Sequence, residues 1–384
     1  MSSRFSFRRK MLAESMVQSL LGETFPDLGS GLFLSAPRRT GKSTFLREDM
    51  VPVLEAKGVY PVYVDLWADK DKDPASLIAD AIKRSLRSTD GVVMKAARAV
   101  GLSKAGVPGV FSFDIDRIGE SAGATLTIAL GELNERVGKP VALLVDEAQH
   151  ALSTNKGMDA MFALKAARDS LNQQSGDRRL LLVFTGSHRD KLANLILKRD
   201  QPFFGAQLTD FFLLGRDYSD AYTEWVNARL SSDNQFDKDD VFEAFDVLGR
   251  RPEMLQNAIS EIALSEEKSA NLQKALKGGA QLLRNRVWED FDRDFSSLTK
   301  NQKAVLARLI DKGEEFSPFT EESLIDYAQF TGDKIDAAAA QAALNALREK
   351  NFVWRSARGA YALEDQSMAE WFISRLEQTS AEQK

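Results

Sequence analysis

Eight consecutive residues, Ala36-Pro37-Arg38-Arg39-Thr40-Gly41-Lys42-Ser43, have the types and the spacing to hold phosphate. Backbone N–H groups around Gly41 can form an anion-binding nest, and the positive end of a helix opening at Thr44-Phe45-Leu46-Arg47 adds to it. Lys42 would place a point charge on the β- and γ-phosphates of a nucleotide, and the Ser43 hydroxyl would ligate magnesium. Ala36 stands where a glycine is usual, a variant that asks only modest backbone freedom. Ala36 to Thr44 is therefore the expected nucleotide-binding set, with Lys42 also counted as catalytic.

A second group ends an apolar run: Val141-Ala142-Leu143-Leu144-Val145-Asp146-Glu147. Asp146 would hold magnesium, directly or through water. Glu147 is placed to polarise the water that attacks a γ-phosphate, as general base. A third group, Thr185-Gly186-Ser187, closes the run Leu180 to Thr185. Ser187, with Thr185 as the alternative, could hydrogen-bond the γ-phosphate or the attacking water; an ordinary strand-to-turn cap is the plainer reading. A fourth, Gly249-Arg250-Arg251-Pro252, precedes a helical pattern whose first turn suits Pro252. Arg251 could reach phosphate from there with a permanent charge and a bidentate fork, or could simply face solvent.

These groups need a sheet to position them. Short apolar runs bounded by turn signals, at 31–35, Tyr60 to Leu66, Val141 to Val145, Leu180 to Thr185 and Phe211 to Leu214, predict buried parallel strands. Helical patterns between them, such as Ser76 to Leu86 and Met158 to Leu171, predict an α/β fold with both faces of the sheet covered. An extra strand region between Lys42 and Asp146 fits the ATPase topology in which another strand separates the two motif strands. Residues 101–125, rich in Gly and Ala, interrupt the alternation as an insertion, read as a hairpin. After about residue 216 the pattern is helical, and from 296 three helices precede two short strands, Phe352 to Arg355 and Tyr361 to Leu363: a winged-helix pattern. The expected domains are a basic tail and helix over 1–30, a P-loop α/β domain over 31–216, a helical lid over 217–295 and a winged helix with tail over 296–384.

Composition narrows the chemistry. The 384 residues carry a net charge of −5, no cysteine and two histidines, His150 and His188. Disulfides, zinc ribbons and a cysteine nucleophile are excluded, and a histidine-built metal site is not expected. No G-x-S-x-G elbow supports a serine hydrolase. No Asn-Lys-x-Asp run reads guanine, so ATP with Mg2+ is the expected pair. No apolar run approaches a bilayer span, and no signal-peptide stretch follows Arg8-Arg9-Lys10, so a cytoplasmic protein without a membrane role is expected.

With these motifs in order, the chain resembles the AAA+ P-loop ATPases, closest to the archaeal-type ATPase family, which is similar to origin-recognition and STAND-type switch ATPases. The resemblance rests on residues 37–43, Asp146-Glu147-Ala148-Gln149, Phe184-Thr185-Gly186-Ser187 and Pro202-Phe203-Phe204-Gly205, and spans nearly the whole chain. It implies an ATP-hydrolysing switch that couples nucleotide state to a partner through the winged helix, or else a DNA-binding regulatory ATPase of a mobile-element or anti-phage system. Two departures stand out. Ala206 and Gln207 follow the Pro-aromatic-aromatic-Gly run where the family often has an arginine, leaving Arg199 as a weak substitute for a finger. Arg250 replaces the second glycine of the family's Gly-Gly-x-Pro lid pattern. Hydrolysis is therefore expected to be slow unless a partner, or a second copy in a homo-oligomer, completes the site.

Charge divides the partner question. Residues 296–384 hold 11 Lys or Arg against 14 Asp or Glu, and the expected recognition helix, Ile335 to Arg348, has only Asp336 and Arg348 as charges. Duplex binding draws much of its affinity from neutralised phosphates. Arg355 and Arg358 in the wing, and the N-terminal Arg4, Arg8, Arg9 and Lys10, are the cations available. DNA and a protein partner stay equally open.

Overall fold

The computed structural model describes residues 5–99, 118–119, 125–173, 178–264, 272–357 and 359–382. The expected hairpin within 101–125 and the wing residue Arg358 lie outside them. Two units separate: Arg8–Ala36 with Lys42–Phe211, and residues up to Phe7 with Pro37–Gly41 and everything from Phe212.

The first unit is a five-stranded, all-parallel sheet in the order β2-β3-β4-β1-β5, with β1 Leu32–Ser35, β2 Tyr60–Asp65, β3 Val141–Asp146, β4 Leu180–Gly186 and β5 Leu208–Asp210. The phosphate-loop strand β1 and the acidic strand β3 are not neighbours, as expected, but the strand between them is β4; β2, the strand region between Lys42 and Asp146, lies at the edge. Side chains alternate between two cores because successive residues of a strand point to opposite faces. Phe33, Val62, Leu143, Val145, Leu182 and Phe184 enter one. Leu32, Leu34, Ala142, Leu144, Leu181 and Val183 enter the other. Helix α1 (Lys10–Leu21), a helical run made of α2 (Lys42–Thr44), a π-wound segment Phe45–Met50 and α3 (Val51–Ala56), cover the second face. Helices α4 (Pro74–Ala99), α5 (Leu126–Val137), α6 (Asn155–Gln173) and α7 (Arg189–Leu197) cover the first. With both faces closed, every residue of β1, β3 and β4 is buried.

Two boundaries differ from expectation. The last strand is Leu208–Asp210, not Phe211 to Leu214: the register of β5 on β1, Phe33 opposite Leu208 and Ser35 opposite Asp210, ends the pairing before the apolar run, and Phe212 and Leu213 are exposed. Helix α4 runs to Ala99, well past Leu86. The basic cluster is tied to this unit: Arg8 Nε donates to buried Asp49 at 2.8 Å, and the Arg9 guanidinium lies 4.5 Å from the centre of the Phe211 ring.

The second unit holds two cores. Helices α8 (Arg216–Asn227), α9 (Lys238–Val247), α10 (Pro252–Leu264) and α11 (Leu272–Ser296) enclose Tyr218, Tyr222, Phe245 and Leu255, with Phe5 and Phe7 packed on Tyr218. Helices α12 (Lys300–Lys312), α13 (Glu321–Thr331) and α14 (Ala337–Glu349) precede an antiparallel hairpin, β6 (Val353–Ala357) with β7 (Ala360–Leu363), and α15 (Ser367–Glu382). Thr299 and Gln302 form a reciprocal capping box on α12, while Thr320 and Asp336 cap α13 and α14. Such caps satisfy the orphan N–H groups that would otherwise let these short helices fray.

Candidate nucleotide site

Parallel pairing brings four strand ends side by side. Ser35 lies opposite Gly186, Val145 opposite Phe184, and Asp65 opposite Asp146. The crevice beyond the carboxyl ends of parallel strands is where open α/β sheets bind ligands.

The loop between β1 and the helix is a tight turn. Thr40 Oγ1 donates to Pro37 O at 2.9 Å, and Arg39 and Gly41 both have left-handed φ, 66° and 90°. Glycine adopts that conformation without cost, and a Cβ built on Gly41 would meet no described atom within 4 Å, so space is open beside the backbone there. Lys42 is buried, and its Nζ donates to Ala36 O at 2.8 Å, which folds the side chain back over the strand end. Ser43 is half-buried; Thr44 and Arg38 are exposed, and Pro37 is half-buried. Arg39 pairs with Glu253 of α10 at 3.5 Å within the second unit.

Asp146 is fully buried, and both its oxygens accept hydrogen bonds. Oδ2 takes the Tyr63 hydroxyl at 2.7 Å; Oδ1 takes the Thr185 hydroxyl and, at 3.1 Å, the Glu147 N–H. A buried carboxylate is costly unless so satisfied. Glu147 follows in a left-handed conformation, φ 54°, uncommon for a residue with a side chain. Its Oε2 accepts the Ser187 hydroxyl at 2.8 Å and the Gln149 amide. Ser187 and Gln149 are both buried. A Cβ on Gly186 would come within 2.7 Å of Gln149 Oε1, so glycine is what lets the amide lie there.

Charge crowds this corner. Burial pushes Asp65 above the usual aspartate range, against the lowering effect of the Trp67 N–H, and the nearby Asp146 and Glu147 push it the same way. Burial, then the Asp146 charge, pushes the Tyr63 phenol far up, so it stays a proton donor across the physiological range.

Of the residues expected from sequence, Asp146, Glu147, Thr185 and Ser187 come together in one hydrogen-bonded cluster at the strand ends. Thr185 serves Asp146 and Ser187 serves Glu147, so the two alternatives of the third motif have separate partners. Within the second unit, the Arg251 guanidinium donates to Asp365 at 2.5 Å, between β7 and α15. Arg250 has φ 51°, the conformation a second glycine would adopt freely, at a cost of about 1–2 kcal/mol for a side-chain-bearing residue. Tyr63 and Asp65 were not singled out by sequence, and Gln149 entered only as the last residue of the Asp146-Glu147-Ala148-Gln149 motif, without a role; the only hint for the first two is that Tyr63 and Asp65 share one face of a strand ending beside Asp146. Among the described residues no cluster of three or more acidic or histidine side chains forms a metal cage. A single buried carboxylate with a serine is the donor set magnesium uses when nucleotide phosphates and waters complete its shell, so the residues present fit a magnesium–nucleotide complex.

No protein-family model and no curated protein matches the chain. Solved structures do. The Walker-type ATPase PABY2304 of Pyrococcus abyssi is 20% identical, with a TM-score of 0.52 over 96% of this chain and 98% of that one. The Aeropyrum pernix ORC2 protein in its ADP form is 13% identical, with a TM-score of 0.59 over 98% and 95%. The same protein in ADPNP–ADP complexes gives 0.53 at 13% identity, over 97% and 95%. At these identities the likeness is one of fold: the chain has the P-loop fold of archaeal Walker-type and origin-recognition ATPases.

Proposed function

We propose that this chain, with the fold of those ATPases, binds ATP with magnesium and hydrolyses it to ADP and phosphate, acting as a switch read by a partner through its C-terminal region. The observation that carries this reading is the cluster of Asp146, Glu147, Thr185 and Ser187 at the strand ends beside the one that leads into the Lys42 loop. Lys42 and the loop from Ala36 to Thr44 would hold the phosphates; Ser43 and Asp146 would hold magnesium, which would supply positive charge beside the phosphate oxygens. Glu147 orients and deprotonates the attacking water, with Ser187 and Gln149 aiming its carboxylate. Slow turnover in isolation follows from Ala206 and Gln207 at the usual arginine-finger position; a neighbouring copy or partner would supply that cation.

The proposed division is an α/β domain over 31–216, a lid over 217–295 and a winged helix over 296–384. The Arg251–Asp365 ion pair ties the start of lid helix α10 to the C-terminal region. Any anion that draws Arg251 away breaks that tie, which gives a physical route from nucleotide to winged helix. The exposed face of α14 carries Ala337, Ala338, Ala342 and Asn345 and ends in the acidic Glu349. It offers little to phosphate, which favours a protein partner over duplex DNA.

The test is magnesium-dependent ATP hydrolysis by the purified chain, with and without duplex DNA at low salt, beside Lys42→Ala. The expected result is a Lys42-dependent rate that DNA does not change. A rate raised by DNA moves the partner to nucleic acid; a rate unchanged in Lys42→Ala removes the ATPase reading.

A further inference from the structure

Asp146 is held from two sides, and the donor on one side belongs to no motif. Thr185 comes from the motif strand β4. Tyr63 comes from β2, at one edge of the sheet, and its hydroxyl lies 2.7 Å from Asp146 Oδ2. The geometry points to Tyr63 as a positioning residue for the magnesium-binding carboxylate, an inference that rests on the ATPase reading and goes beyond it.

The strand register makes the contact systematic. Tyr63 pairs with Leu144 and Asp65 with Asp146 in the parallel β2–β3 ladder. Residues two apart share a face, so Tyr63 and Asp146 project to the same side of the sheet, one diagonal step apart, a span that a phenol can bridge and a short side chain cannot. The helical run that opens with Lys42 and Ser43 packs on this face, and its Arg47 guanidinium sits 5.8 Å from the centre of the Tyr63 ring. The phenol is thus confined between strand and helix, with its hydroxyl directed at Asp146.

A carboxylate oxygen has two lone pairs. The Tyr63 proton occupies one on Oδ2 and leaves the other for a metal, while Thr185 and the Glu147 N–H fix Oδ1. Asp146 therefore cannot swing about its Cβ–Cγ bond, and its remaining lone pair keeps one direction. Outer partners of this kind are worth about 10- to 100-fold in metal affinity. A tyrosine that only filled space would not affect the metal, because Phe would fill the same volume.

The experiment is a titration of Mn2+, read by electron paramagnetic resonance, into the full chain saturated with ATP. Wild type, Tyr63→Phe and Asp146→Asn are compared, with ATP binding in EDTA and thermal unfolding measured alongside. Tyr63→Phe is expected to weaken Mn2+ by about 10-fold or more while ATP binding in EDTA holds. Placing 3-fluorotyrosine at position 63, which keeps the donor, should restore Mn2+ affinity, and this second variant serves if Tyr63→Phe folds poorly. Wild-type Mn2+ affinity in Tyr63→Phe, or loss in both position-63 variants alike, overturns the positioning role. If Asp146→Asn itself binds Mn2+ like wild type, the fault lies in the metal reading of Asp146, and Tyr63 falls with it.

Discussion

The strand-end cluster and the C-terminal region both bury charged groups, but they close them differently. At the strand ends, Asp146 and Glu147 are held by neutral donors, Tyr63, Thr185, Ser187 and Gln149. In the C-terminal region, buried Arg308 is closed by opposite charge, pairing with Glu322 at 3.1 Å and with Asp326, while its Nε donates to Ser323. Neutral donors fix a carboxylate in direction and leave its charge for a cation; counter-ions use the charge up. The first arrangement leaves carboxylate charge uncompensated at the strand ends; the second compensates a buried cation within the fold.

The largest effect that could break this contrast is at Lys42. Lys42→Ala should weaken ATP binding by about 10²–10³-fold, in line with loss of a preorganised charge at a phosphate, and equilibrium binding of a fluorescent ATP analogue checks it. Next is Gly186→Ala. The added methyl would press on Gln149 Oε1 and on Leu192 at 3.3 Å, costing about 1–3 kcal/mol in denaturant unfolding and slowing turnover through Glu147. Arg308→Ala should separate the two regions: about 1 kcal/mol of stability lost, because Glu322 is exposed and Asp326 only half-buried, with turnover unchanged.

The smallest effect is electrostatic. Asp65 has its folded pKa raised, so the stability its protonated form contributes is present below the ordinary value of 3.8 and is lost as pH rises through the folded value. Near neutrality the charged Asp65 is a burden. Asp65→Asn should raise the melting temperature there, and the difference from wild type should close as the pH falls to the ordinary aspartate value.

Much of this site was legible because its signals are local. An apolar run followed by Gly41-Lys42-Ser43, and another ended by Asp146-Glu147, need only a strand and a turn to make sense. Tyr63 and Gln149 were not legible because their roles depend on the register between strands and on the left-handed turn at Glu147, neither of which any short window encodes. The last strand was misplaced for a related reason. Phe211 to Leu214 is the most apolar stretch there, yet hydrogen bonding to β1 selects Leu208–Asp210, and of the apolar four only Phe211 is buried. Arg250 illustrates the converse: it stands where the resembled family has a glycine, and the backbone takes the left-handed conformation regardless.

The most direct test of the central claim is Glu147→Gln. The amide keeps the size of the side chain and its contacts with Ser187 and Gln149 in reach, but cannot act as a base. Magnesium-dependent ATP binding and single-turnover hydrolysis should be measured on the same preparation. The account predicts binding within a few-fold of wild type and hydrolysis reduced by about 10²–10⁴-fold. Hydrolysis at the wild-type rate with binding intact would contradict it, and would mean that the carboxylate at the end of this strand does not activate the water.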